Sequence, residues 1–294
     1  MSIKDRLFVA SQHLAPQHAI SRLAGRLAEA RLPSFKNRLI RWFIRQFGVN
    51  MQEAARESVE MYENFNDFFT RELKPGIRNT LARPGELISP VDGAVSEAGK
   101  IEYGRLMQAK GHSYSLIDLL GGDLEIAQPF LGGDFNTIYL SPRDYHRIHM
   151  PIDGELKTML YVPGRLFSVN QATAGTVSNL FARNERVVCL FDTPAGPLAM
   201  VLVGAMIVAS VATVWAGLVA PQTSGVRKIH YDAGKVVLRA GAEMGRFHLG
   251  STVILVFGEQ RIQWASGVKA GTPLQLGQII GSYSPSGATT QYQT

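Results

Sequence analysis

Cysteine is nearly absent: the 294 residues contain one, Cys189. A disulfide within the chain is impossible, and a thiolate metal cluster is excluded. Cys189 lies in the apolar stretch Val187-Val188-Cys189-Leu190-Phe191 and reads as a buried, inert thiol. Such sparing use of cysteine fits a reducing compartment. Nucleotide motifs are missing too. No Gly-x-Gly-x-x-Gly occurs, and residues 93–100 miss a phosphate loop by one position and lack the Ser or Thr that should follow. The first residues show no continuous apolar core of the kind a signal peptide carries. One long stretch lacks charge, because residues 193–226 hold no Asp, Glu, Lys or Arg. Within it, residues 198–219 are long enough to compete as a bilayer span of about 30 Å. Gly204, Gly217 and the recurring Val, Ile and Thr favour buried strands instead, and no basic cluster flanks the stretch.

Acidic residues are scarce at one end. Residues 1–47 carry nine Lys or Arg against only Asp5 and Glu29, in a chain whose net charge is +6. The basic character therefore belongs to that segment, which suits an anionic lipid or nucleic acid partner. Interleaved aromatics decide for lipid. Phe35-Lys36-Asn37-Arg38-Leu39-Ile40-Arg41-Trp42-Phe43-Ile44-Arg45-Gln46-Phe47 has helical periodicity, with Leu39, Ile40, Phe43, Ile44 and Phe47 on one face. Arg38, Arg41 and Arg45 flank or oppose it. Two readings stand for this helix: lying in a membrane interface, or docked on the protein's own core.

Residues 3–31 predict helix broken at Pro16 and Pro33, and residues 51–73 predict another, acidic and aromatic. Lys74-Pro75-Gly76 marks a boundary between a helical N-terminal region, 1–75, and the rest, 76–294. Beyond it, short apolar runs punctuated by Gly and Pro predict a largely antiparallel β region. The polar tail 282–294 reads as disordered.

Three segments carry chemistry. In Glu243-Met244-Gly245-Arg246-Phe247-His248-Leu249-Gly250-Ser251-Thr252, a serine directly follows a glycine just ahead of the apolar run 253–257. With a base nearby, the Ser251 hydroxyl can attack the Gly250 carbonyl and turn the amide into an ester. β-Elimination would then free a dehydroalanine that hydrolyses to a pyruvoyl group, an electrophile no natural side chain offers. Ser89-Pro90-Val91-Asp92-Gly93 supplies a carboxylate, although aspartate before glycine is also a common turn signal. Tyr139-Leu140-Ser141-Pro142-Arg143-Asp144-Tyr145-His146-Arg147-Ile148-His149-Met150-Pro151 supplies two histidines. Three apart, His146 and His149 would face opposite sides on a strand and the same side on a helix. No third ligand of matching spacing accompanies them, so no metal is expected. Lys110, in Ala-Lys-Gly-His, is the candidate for a pyridoxal-phosphate lysine, but a solvated loop lysine fits it better.

With these segments the chain resembles the phosphatidylserine decarboxylases of the bacterial membrane-associated type. The resemblance extends through Phe65-Asn66-Asp67-Phe68-Phe69-Thr70-Arg71-Glu72-Leu73, Gln108-Ala109-Lys110-Gly111-His112, Leu166-Phe167-Ser168-Val169-Asn170 and Asn179-Leu180-Phe181-Ala182-Arg183-Asn184-Glu185-Arg186. It implies an α+β fold, with N-terminal helices before a mainly antiparallel β core of barrel-like character. It implies a self-processing set of Ser251 as nucleophile, His149 as base and Asp92 orienting that base, with cleavage between Gly250 and Ser251. The products are a large chain 1–250 and a small chain 251–294 that stay associated. The covalent pyruvoyl left by Ser251 would form a Schiff base with the seryl amine of phosphatidylserine and accept the electrons released with CO₂. His146 would return the proton. The product is phosphatidylethanolamine, and the place of work is the cytoplasmic face of the inner membrane, held peripherally. A homo-oligomer is left open, and no nucleic acid is expected. Two other classes compete: a lipid-ester hydrolase that keeps Ser251 intact, and a non-catalytic membrane-binding protein.

Overall fold

The computed structural model describes residue 12 and residues 15–205, 210–220, 225–248 and 251–284, with the backbone alone for Gln171, Ala172 and Ser251. Leu249, Gly250 and the side chain of Ser251 therefore lie outside the described residues, as does the tail from 285 onward.

The N-terminal region carries two amphipathic helices, α1 (Gln17–Ala28) and α2 (Pro33–Phe47). Pro33 starts α2 at the position where a missing N–H costs nothing. Gly48 ends it in the left-handed region (φ 68°), and its N–H bonds back to the Ile44 carbonyl. Residues 51–73 depart from the long helix their pattern predicts. They form two 3₁₀ turns and the five-residue α3 (Phe65–Phe69). Side chains redirect the backbone here. Arg56 bonds the Met61 carbonyl and both oxygens of Asp67, Asn64 caps α3 through the Asp67 N–H, and Ala54 pairs with Leu73. A core of Ala28, Ile40, Phe43, Val59, Tyr62, Phe65, Phe68 and Phe69 holds this region together.

The rest is mainly antiparallel sheet. In chain order the first strands are β1 (Glu86–Ile88), β2 (Gly93–Lys100), β3 (Arg105–Ala109), β4 (His112–Ser115), β5 (Asp134–Leu140) and β6 (Arg147–His149). Then come β7 (Gly154–Val162), β8 (Arg186–Thr193), β9 (Gly196–Val203), β10 (Val211–Thr213), β11 (Gly217–Ala220) and β12 (Arg227–His230). The last are β13 (Val237–Leu238), β14 (Glu243–Phe247), β15 (Ser251–Phe257), β16 (Ile262–Trp264), β17 (Pro273–Leu274) and β18 (Ile279–Tyr283). The main sheet runs β12-β7-β8-β9-β15-β5-β2-β17, with β13 also paired to β7. A four-stranded sheet, β11-β10-β14-β6, and a three-stranded one, β1-β18-β16, accompany it.

The α+β class and the antiparallel pairing agree with the sequence pattern. Barrel-like character does not show in the recorded pairings, which leave each sheet open among the described residues. The charge-free stretch forms core strands as expected, contributing most of β9 together with β10 and β11. Among the described residues no helix is long and apolar enough to cross a membrane. Alternation along the central strands gives the main sheet two apolar faces. One gathers Ile138, Val253, Leu255 and Phe257 with Ile148 and Met150, and the other gathers Ile254, Val256, Val201 and Val203 with Phe167 and Phe181. Cys189 is buried on β8, where burial pushes its thiol up.

Candidate active site

Strand β15 is central, paired antiparallel to β9 on one side and β5 on the other. Its first residue, Ser251, pairs with Leu140, the last of β5. Just upstream, the Phe247 N–H bonds the His146 carbonyl at 3.0 Å. The segment from Phe247 to Ser251 is thus bracketed at both ends by the segment from Leu140 to His146. That backbone arrangement ties Phe247 and the Ser251 backbone to the histidine loop. From the other side, the Pro90 carbonyl accepts from the His149 N–H at 2.9 Å, which brings the Asp92 turn against the same strand.

His149 is half-buried at the end of β6. Its Nδ1 lies 2.8 Å from the Gly241 carbonyl and its Nε2 lies 3.1 Å from the Tyr145 hydroxyl. A carbonyl only accepts, so Nδ1 carries the proton and Nε2 presents the lone pair toward Tyr145. Burial lowers its pKa, which keeps the ring a neutral base. Gly241 has φ 79°, and a Cβ there would stand 2.3 Å from the Thr80 carbonyl oxygen, so both conformation and space require glycine where the tautomer is set.

Asp92 is buried but does not bond His149. Its oxygens accept from Arg78 Nε (3.0 Å) and Nη2 (2.6 Å), and Oδ1 also accepts from the Leu276 N–H at 2.7 Å. Arg78 reaches Glu53 as well, at 2.8 Å. The expected relay from Asp92 to His149 is thus replaced, in hydrogen-bond terms, by the Gly241 carbonyl. The carboxylate acts on His149 only through its charge, which favours the protonated ring and is the smallest of the influences on it.

His146 is fully buried. Nδ1 donates to the Asp144 carbonyl at 2.8 Å, and Nε2 has no partner among the described residues. The Phe69 ring packs on it, with centroids 4.0 Å apart. Burial, and then the positive charge of Arg71, hold the imidazole down to about 3. At neutral pH the ring is uncharged with a free acceptor, so it has to take a proton before it can give one.

Two arginines stitch the helical region to this loop in opposite directions. Arg71, next to α3, sends Nη2 to the Arg143 carbonyl at 2.9 Å, and its buried Nε and Nη1 have no partner among the described residues. Arg147, from β6, reaches the Thr70 carbonyl (2.8 Å), Glu72 (3.0 Å) and Glu243 (3.0 Å). Sequence reasoning missed Arg71, Arg78, Tyr145, Arg147 and Gly241. Arg71, Tyr145 and Arg147 lie in quoted motifs, so position was the available signal, whereas Arg78 and Gly241 carried none. Lys110 sits exposed with φ 49° in the turn between β3 and β4, as a loop residue.

The comparisons with known proteins identify the family. A family model described as phosphatidylserine decarboxylase matches residues 65–282, and a second, described as PSD, matches residues 7–48. A phosphatidylserine decarboxylase proenzyme from Hahella chejuensis is 59% identical over 293 residues, covering 100% of this chain and 99% of that protein. Proteins of the same name from Pseudomonas fluorescens (59% over 282 residues) and Pseudomonas aeruginosa (58% over 283) each cover 95% of this chain and 98% of their own length. The chain belongs to the phosphatidylserine decarboxylase family.

Proposed function

We propose that the chain converts phosphatidylserine to phosphatidylethanolamine and CO₂, using a pyruvoyl group that it makes from its own Ser251. The observation that carries this reading is the double bracket of residues 247–251 by residues 140–146. It ties both flanks of the Gly-Ser step, Phe247 and the Ser251 backbone, to the loop that carries His146, which supports a reaction of that step beside the histidines.

In processing, His149 Nε2 takes the proton of the Ser251 hydroxyl as it attacks the Gly250 carbonyl. Tyr145 occupies Nε2 until the serine hydroxyl takes its place, Gly241 fixes the tautomer, and Asp92 stabilises the charge that appears on the ring. The amide becomes an ester. Loss of the Ser251 α-proton expels the Gly250 carboxylate, and water releases ammonia to leave the ketone. The products are chains 1–250 and 251–294. The start of a central strand suits the group, because Ser251 pairs with Leu140 and the next residue, Thr252, is paired on both sides. When present, the group supplies the electron sink that loss of CO₂ beside an amine requires.

For turnover, His146 Nε2 is the free acceptor. It takes the proton shed by the incoming ammonium and returns it to the substrate α-carbon, and a ring whose acid form is disfavoured gives that proton up readily. Phe69 and the surrounding core keep water from it.

Residues 1–75 form the membrane-associating region and 76–294 the catalytic one. The face of α2 proposed for lipid is largely consumed inside the protein: Ile40 and Phe43 are buried, Leu39, Ile44 and Phe47 pack against the same cluster, and Arg41 pairs with Glu60. Exposed apolar side chains lie instead on α1, at Ile20, Leu23 and Leu27, and at Leu32, Phe35 and Trp42. The first three recur at helical spacing. With the basic segment around them they suit the surface of an anionic bilayer, contacted peripherally.

Intact-mass analysis tests the chemistry. The purified protein should give two chains split before residue 251, with the small one blocked at its amino end, and should release CO₂ from carboxyl-labelled phosphatidylserine. Ser251→Ala should give one inactive chain of full length. A Ser251→Ala protein still cut at that bond would sink the mechanism, and an uncut, active parent would favour the lipid-ester hydrolase.

A further inference from the structure

A cleft of about 430 Å³ opens between the helical region and the end of β14. Its lining includes Glu29, Arg31, Asn66, Asp67, Thr70 and His248. His248 follows β14 and stands two residues before Gly250, so the cleft leads to the segment where cleavage is proposed. Three of these side chains lack partners among the described residues: the Glu29 carboxylate, the His248 imidazole, and Asn66 Oδ1, which is closed to solvent. Asp67 is engaged by Arg56, and Arg31 sits on the rim in an exposed pair with Glu63. Burial and then the charge of Arg246 lower the pKa of His248, so the wall beside the cleavage segment is neutral and the free charge facing it is an acid.

Along the chain the lining alternates with exposed apolar residues. Leu27, Leu32 and Phe35 flank Glu29 and Arg31, are open to solvent, and do not belong to the lining. The connection between α1 and α2 thus offers apolar side chains outward and charged ones to the cleft, the order in which a bilayer-bound lipid presents acyl chains and head group. We propose that this cleft receives the ammonium-bearing phosphate head group of the lipid, with Glu29 accepting from the ammonium and Arg31 facing the phosphate. The substrate and product of the proposed reaction share that chemistry, so one cleft serves entry and exit. This assignment rests on the proposed function, and it adds a selection step for the amine ahead of the chemistry.

The experiment uses soluble head groups, which removes the bilayer as a source of binding. Calorimetry with the full-length Ser251→Ala protein measures glycerophosphoserine, glycerophosphoethanolamine and, as an anion without an amine, glycerophosphoglycerol. The two amines should bind at least tenfold more tightly than the glycerol compound. Glu29→Gln should weaken both amines about tenfold, the size of one charge-assisted hydrogen bond, and leave the third unchanged. Glu102→Gln, outside the cleft, should do nothing. In the wild-type background, Glu29→Gln should still yield two chains and raise KM about tenfold with kcat held within twofold. Equal binding of all three compounds, no binding of any, or parent-like affinity in Glu29→Gln would overturn the assignment. If the parent released no CO₂, the proposed function would fall while the calorimetry still decided the cleft.

Discussion

The helical N-terminal region and the main sheet are held in place by different physics. In the sheet, ladders set the register: β15 pairs residue for residue with β5 and β9, and aliphatic side chains fill both faces. The helical region relies on rings and cations. Phe43 meets Phe65, Phe68 and Phe69 edge-on at 5.0 to 6.0 Å, and Lys36 donates to the carbonyls of Val59 and Tyr62. A ladder fixes atoms along a line, whereas a cluster of rings excludes water from a volume. The candidate site lies where the two meet. The sheet positions the Ser251 backbone, and the cluster, through Phe69 and Arg71, lowers the basicity of His146.

If that division is right, the largest effects come from the sheet side. His149→Ala should stop processing, leaving one chain by intact mass. His146→Ala should still be cut but should release CO₂ about 10²- to 10⁴-fold more slowly. Normal turnover in His146→Ala would remove it from the chemistry. Next comes the helical side. Phe69→Ala removes a buried ring from both the aromatic cluster and His146, and should cost about 3 to 5 kcal/mol in denaturant unfolding. A loss under about 1 kcal/mol would mean that the two regions are not coupled through this ring.

Acid should report the same seam. An unfolded His146 takes up its proton near 6.5, and the folded ring refuses it until about 3. Its folded pKa is depressed, so the stability it supports is present above 6.5 and drains away as pH falls below it. The loss should reach about 2 kcal/mol at pH 5. His146→Phe should flatten that part of the stability curve, and an unchanged slope between pH 6.5 and 5 would show that the ring is already solvated. The smallest effect belongs to the surface. Replacing Arg38, Arg41 and Arg45 with Gln should weaken binding to anionic vesicles by at most about 1 kcal/mol each, least for Arg41, which Glu60 already neutralises. Leu23→Asp should weaken it more than Trp42→Ala does. Parent-like vesicle binding by both Leu23→Asp and the triple variant would place the lipid contact elsewhere.

Much of this was legible in the sequence for a local reason. Short apolar runs between Gly and Pro announced the antiparallel strands, the charge-free run announced buried strands, and Gly-Ser with Asp-Tyr-His-Arg-Ile-His marked the candidate reacting groups. What stayed hidden is non-local. Nothing in residues 51–73 says that Arg56 will clasp Asp67 and break the helical pattern. Helical periodicity gave α2 an apolar face but could not say whether lipid or Phe65 would cover it. The partner of Asp92 was unreadable too, since Arg78 lies 14 positions away in an unremarkable loop. Gly241 acts through its carbonyl, which every residue has.

The central place of β15 has a consequence for folding once a chain is cut ahead of Ser251. The small piece would keep its two ladders, and β16, β17 and β18 would remain paired to one another or to strands of the large piece. Nothing would come apart in the native state, yet the molecularity of folding would have changed. Unfolding an uncut chain is a first-order event that can reverse at any dilution. Unfolding the nicked form sets two polypeptides adrift, and their return is second order and requires rebuilding the middle of a sheet. Processing would thereby turn a reversible fold into one that survives by the slowness of its opening, with a thermal midpoint that moves with protein concentration in the cut form and not in Ser251→Ala.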